Sequence, residues 1–191
     1  MRRSVAALAS ALAVASPLAL GVATLAHSSA AQLLSCAVSS AESFSPGVQM
    51  ASSSQDVSGS ITGPGITAGP ACGAAPDGIT GLDATFTGKG AASCLPDPAL
   101  QTVGLNGSMT ITWKKADAAT VGTSGITWTA RQVELGSVDL AGTVTSGLFK
   151  GATLSVAGLS ADAVVRVAGG CAPGSPLTSV RTTDTYLRLT H

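Results

Sequence analysis

Residues 107–114, GSMTITWK, constrain the fold more than any other stretch of the chain. Met109, Ile111 and Trp113 alternate with Ser108, Thr110, Thr112 and Lys114. Successive side chains of a pleated strand leave on opposite sides, so this period of two marks a strand with one dry face and one wet face. The pattern returns at residues 125–131, GITWTAR, where Ile126, Trp128 and Ala130 hold the apolar phase. An antiparallel register that sets Trp113 against Ile126, Ile111 against Trp128 and Met109 against Ala130 gathers the large apolar groups on one face. This hairpin is expected at the centre of an all-β domain, with both tryptophans in its core.

The rest of the chain carries the same signal in shorter pieces. Cys36, Val38 and Phe44 share a phase within residues 33–45, and Pro46-Gly47 supplies the turn chemistry that ends that strand. Val57 and Ile61 mark a second strand over residues 55–62. Residues 63–70 are too rich in Gly and Pro to sustain a ladder. Leu82, Ala84 and Phe86 mark a third strand within residues 79–94, and their phase continues onto Gly88, Gly90, Ala92 and Cys94. The glycines there imply a bulge, a bend or the close approach of another backbone. Leu105-Asn106-Gly107 reads as a tight turn. Leu140, Gly142 and Val144 are in phase with Val138, a bend at residues 146–151 delivers Phe149 to the core, and Leu154 and Val156 resume the strand pattern. Residues 163–167 read as a short extra strand, and residues 177–190 close the domain with Leu187 and Leu189. Beyond the first thirty or so residues no apolar period of 3.6 is sustained. About eight short strands separated by turns are expected to form a two-sheet antiparallel β-sandwich, with a closed β-barrel as the alternative.

Met1-Arg2-Arg3, an uncharged apolar run and then small residues have the layout of a secretory signal. Cleavage is expected after Ala30 or Ala31, which divides the chain into a signal peptide at 1–31 and a single domain at 32–191. All four cysteines, Cys36, Cys72, Cys94 and Cys171, lie beyond this leader. An even number in an exported chain reads as two disulfides, with three pairings open. Leu33-Leu34-Ser35-Cys36 also resembles a lipobox, so a lipid anchor through Cys36 is the alternative to a freely secreted, extracellular product. Polar His27, Ser28, Ser29 and Gln32 stand where a lipobox would adjoin the apolar run.

Gly107-x-x-x-Ile111-x-Trp113 and Gly142-x-Val144-x-x-Gly147-x-Phe149-x-Gly151, with a cysteine shortly before the last strand, resemble small secreted all-β proteins of actinobacteria. The resemblance implies an exported immunoglobulin-like or similar sandwich without an assigned activity. Its motifs are structural glycines and core residues, and they bring no catalytic residues with them.

The chemistry-bearing residues are few. Of the two histidines, His27 lies in the leader and His191 ends the chain, so a Ser-His-Asp or Cys-His centre has no placed base. The same scarcity, and the absence of any CxxC or Cys/His cluster, speak against a metal site or cofactor. Glu42 and Glu134 are the only glutamates, and together with Asp83, Asp97, Asp117 and Asp139 they read as solvated turn and strand-face acids rather than a glycosidase pair. Charged residues make up 10% of the chain at a formal net charge of zero, which argues against nucleic acid and anionic membrane as partners. Thr-x-Thr at 85/87, 110/112, 127/129 and 143/145 brings ice binding to mind, but threonine is simply favoured on a wet strand face. The expectation is therefore a non-catalytic, monomeric exported protein that binds an extracellular protein or glycan or serves as a structural component. The alternative is a carbohydrate-binding or weakly hydrolytic module using Trp113 and Trp128.

Overall fold

The computed structural model describes residues 31–63, 72–73, 75–94, 103–134, 137–157 and 174–191. The leader before Ala31, the strand expected at 163–167 and Cys171 lie outside the described residues. Within them the strands are β1 (Gln32–Val48), β2 (Ser53–Gly63), β3 (Cys72–Gly73), β4 (Gly81–Ala92), β5 (Val103–Lys114), β6 (Thr120–Glu134), β7 (Ser137–Gly147), β8 (Thr153–Ala157) and β9 (Leu177–Thr190). A 3-10 turn at Pro76–Gly78 is the only helical piece among the described residues.

The chain is all-β and antiparallel. The nine strands belong to one sheet in the order β2-β4-β5-β6-β7-β8-β9-β1-β3, and β1 pairs with β2 as well. The ladders therefore run in a ring through β1, β2, β4, β5, β6, β7, β8, β9 and back to β1. The short β3 extends the β2 side of β1, pairing Cys36 with Cys72. Two separate sheets were the sequence expectation, and the long β1 is what joins the two walls. It spans 17 residues, pairs on both sides, and its ladder to β9 shifts register between Gln32 and Leu34, Val38 and Ser40, and Ser43 and Val48. Such irregularities let a strand bend and serve two walls at once.

The interior is filled by one phase of each strand. Leu34, Cys36 and Val38 of β1, Leu82, Ala84 and Phe86 of β4, Met109, Ile111 and Trp113 of β5, Ile126, Trp128 and Ala130 of β6, and Leu187 and Leu189 of β9 are all buried. Both tryptophans lie inside, at 0% exposure for Trp113 and 3% for Trp128.

The central hairpin pairs as expected but four residues out of the expected register. Met109 faces Ile126, Ile111 faces Ser124, and Trp128 faces Gly107. The cause is a tight connection. Lys115 N–H donates to Ala119 O at 2.9 Å, the Asp117 carboxylate accepts from Ala119 N–H at 3.0 Å, and β6 starts at Thr120. An even shift leaves every side chain on its face, so the apolar pattern alone does not choose between these registers. Asn106-Gly107, read as a turn, lies within β5, and β1 runs on through Pro46-Gly47 to Val48. Buried Gln55 ties that end together: its Oε1 accepts from Gly47 N–H at 2.9 Å and its Nε2 donates to Gly47 O at 3.0 Å.

Cys36 and Cys72 form a disulfide. Closing a 36-residue separation, it restricts the unfolded chain by about 4 kcal/mol. The bond occupies the sulfur that lipidation of Cys36 would need. Cys94 is disulfide-bonded too, and its backbone N–H donates to Gln49 O at 2.8 Å.

Candidate functional site

The two ends of the interior differ. At one end Leu34, Leu82, Ile111, Trp113, Leu154, Leu187 and Leu189 are packed at or below 1% exposure. Trp113 is satisfied there: its Nε1–H donates to Ser124 Oγ at 2.8 Å, and the Ser124 hydroxyl donates onward to Leu148 O at 2.5 Å. Phe149, held at φ +61° in the bend after β7, sets its ring edge-on to Trp113 at 5.3 Å. The bend delivers Phe149 to the core as its sequence pattern predicts.

At the other end the interior opens into a cavity of about 210 Å³. Its walls are mainly apolar: Val38, Phe44, Val57, Ile61, Phe86, Leu105, Ala130, Leu140, Val156, Leu177 and Val180 line it, with Trp128 on the β6 wall. Trp128 owes its position to glycines. It lies level with Gly107 on β5 and Gly142 on β7, and Gly88 lies level with Gly107 one strand further on. A Cβ on Gly88 would come within 2.5 Å of the indole Cζ2. The close approach that the glycines of β4 imply is thus partly that of a side chain. Phe86 meets the same indole edge-on at 5.9 Å.

One polar strip interrupts the apolar lining. Ser40 and Glu42 on β1 and Thr182 and Thr185 on β9 all reach the cavity. Ser40 faces Thr182 across the β1–β9 ladder, and their hydroxyls are hydrogen-bonded. Ser40 also bonds the Glu42 carboxyl. A serine hydroxyl has one proton, so while Glu42 is ionised Ser40 donates to it and accepts from Thr182. Thr185 donates to Val38 O at 3.1 Å. Burial pushes the Glu42 carboxyl above the ordinary glutamate range, opposed by the bonds from Ser40 and from the residue's own backbone.

Two residues that line this cavity each keep one buried polar atom without a hydrogen-bond partner among the described residues: Glu42 its Oε2 and Trp128 its Nε1. Buried polar groups are nearly always paired, and an orphan costs about 1–3 kcal/mol. That both such side chains line one cavity makes this the candidate site.

Glu42 corrects in part the reading of it as a solvated strand-face acid: the residue is half-buried and its Oε2 is shielded from solvent. Its signal was present, since Cys36, Val38 and Phe44 share its phase and it falls between them. The other acids behave as surface groups where the structure describes them: Asp83 pairs with Lys114, and Asp117 caps the hairpin turn. Asp97 lies outside the described residues, as do the side chains of Glu134 and Asp139. Among the described residues no three His, Cys, Asp or Glu side chains are grouped to hold a metal.

The threonine pairs occupy the outside. Register places Ser58, Thr87, Ser108, Thr127, Thr143 and Thr153 in one exposed row across β2, β4, β5, β6, β7 and β8. The sheet closes on itself, so the outward directions of these hydroxyls fan apart, unlike a flat lattice-matching face. A bilayer-spanning barrel needs an apolar outer belt, and this row is polar. Among the described residues no helix is long and apolar enough to cross a membrane.

Fold and site together define a closed antiparallel sheet with a partly filled interior and an amphipathic cavity. No family model, curated protein or solved structure matches this chain.

Proposed function

We propose that the protein is an exported, non-catalytic binding protein that holds a small, mainly apolar molecule inside its sheet. The leader-like first residues and the paired cysteines support export. The cavity, lined by Glu42 and Trp128 that each keep a buried polar atom unpaired among the described residues, carries the binding reading. An apolar cavity with a few placed polar groups is the usual form of a small-molecule site. Catalysis gains no support among the described residues, where Glu42 is the only titratable side chain lining the cavity and has neither a second acid nor an activated nucleophile beside it. Trp113 and Trp128 serve as interior walls in this reading, not as an outward platform for a glycan.

Calorimetric titration of the mature protein with 4-ethylphenol, a single-ring probe, tests the proposal. Saturable one-to-one binding is expected, and it should vanish in Ala130→Phe, which fills the cavity and leaves the melting temperature equal or higher. Binding that survives in a folded Ala130→Phe variant would place the site elsewhere.

A further inference from the structure

The polar atoms of the cavity describe the ligand that would complete it, if the interior is the binding site as proposed above. β1 and β6 are separated by three strands in either direction round the ring, so Glu42 and Trp128 stand on opposed walls. On the β1 wall the free atom is a carboxyl oxygen, an acceptor while Glu42 is ionised, and the Thr182 hydroxyl beside it then keeps acceptor capacity after donating to Ser40. That wall asks for donors. On the β6 wall the free atom is an indole N–H, which donates only. That wall asks for an acceptor. Between them Phe86, Leu105, Leu140 and Val156 offer hydrocarbon alone.

Charge narrows the choice. Among the described residues no Lys, Arg or His lines the cavity, so no described cation there offsets an ionised Glu42. A ligand carboxylate or phosphate would add a second negative charge in a region of low dielectric. A ligand hydroxyl would satisfy Oε2 but leave the charge unbalanced. A protonated amine supplies both the opposite charge and up to three donors. Size narrows it further: a cavity near 150 Å³ accepts benzene, so about 210 Å³ suits one ring with a short chain.

We propose that the ligand is a small arylalkyl-type primary amine, its ammonium held by Glu42 and Thr182 and a hydrogen-bond acceptor at its far end meeting Trp128 Nε1. Its two unlike ends fix its direction in the cavity, the amine toward β1 and the acceptor toward β6.

Tyramine carries all three features, 4-ethylphenol lacks the amine, and phenethylamine lacks the far oxygen. Titrated into the mature protein near pH 7, tyramine should bind at least about tenfold more tightly than 4-ethylphenol, as expected where an opposite charge is paired inside a protein. Glu42→Gln should cost tyramine about tenfold and leave 4-ethylphenol within about twofold, because only the amine uses the charge. Trp128→Phe should remove the preference for tyramine over phenethylamine. If 4-ethylphenol binds wild type as tightly as tyramine does, the amine assignment falls while the interior site stands. If neither binds the folded protein, both fall. The comparison of probes on wild type decides the matter even if a variant fails to fold.

Discussion

Glu42 and Trp128 belong to strands on opposite sides of the ring, line one cavity, and each keep one buried polar atom unpaired among the described residues. The second tryptophan gives the contrast, because Trp113 is equally buried yet spends its N–H on Ser124. The chain thus satisfies an interior indole at one end and leaves one unsatisfied at the other, where the cavity is.

Glu42→Gln should stabilise the ligand-free protein at neutral pH by about 1–3 kcal/mol, since a neutral amide is cheaper to bury than an uncompensated carboxylate. Burial holds the Glu42 pKa above its ordinary value of 4.5, so above that pH the folded chain keeps a proton that the unfolded chain loses. Unfolding then releases protons, and stability falls as pH rises from about 4.5 through the higher folded value. The register partners of Glu42, Gly59 on β2 and Val180 on β9, carry no charge to offset this. Urea melts across that range should show the decline in wild type and its loss in the variant.

Ser124→Ala should destabilise the packed end by about 1–3 kcal/mol, because it strands the Trp113 N–H that now has a partner. The denaturant midpoint reports the loss. Binding at the opposite end should be unchanged.

Gly88→Ala should cost about 1–3 kcal/mol and disturb the cavity, since overpacking a filled position forces neighbours to move. The new Cβ meets the indole Cζ2 at 2.5 Å and the Asn106 carbonyl oxygen at 2.6 Å, so neither the side chain nor the backbone gives way freely. A shift in tryptophan emission alongside a lower melting temperature is the expected result.

Peptide mapping without reductant should recover Cys36 joined to Cys72 and Cys94 joined to Cys171. Cys72→Ser should cost about 2–5 kcal/mol. A Cys36–Cys94 peptide would contradict the β1–β3 ladder.

Much of this fold is legible in the alternation of residues 107–114 and 125–131, because a buried face imposes a period of two on any strand that borders it. The register of that hairpin is not, since a four-residue slip keeps Ile126 and Trp128 inside and only the turn at residues 115–119 decides. Closure of the sheet is not legible either: it depends on β1 pairing with β9, contacts separated by more than a hundred residues that leave no local pattern. Glu42 lay between these cases. Its phase points inward with Val38 and Phe44, whereas a carboxylate's usual place is in water, so the pattern alone does not place it.

The indole N–H signals of Trp113 and Trp128 in a ¹⁵N-labelled mature protein, assigned with Trp113→Phe and Trp128→Phe, test the interior site most directly. On addition of tyramine the Trp128 signal should move downfield as its N–H gains an acceptor, while the Trp113 signal, already bonded to Ser124, stays in place. A Trp128 signal that does not move while tyramine binds, or a Trp113 signal that moves in its stead, would contradict a ligand held between Glu42 and Trp128.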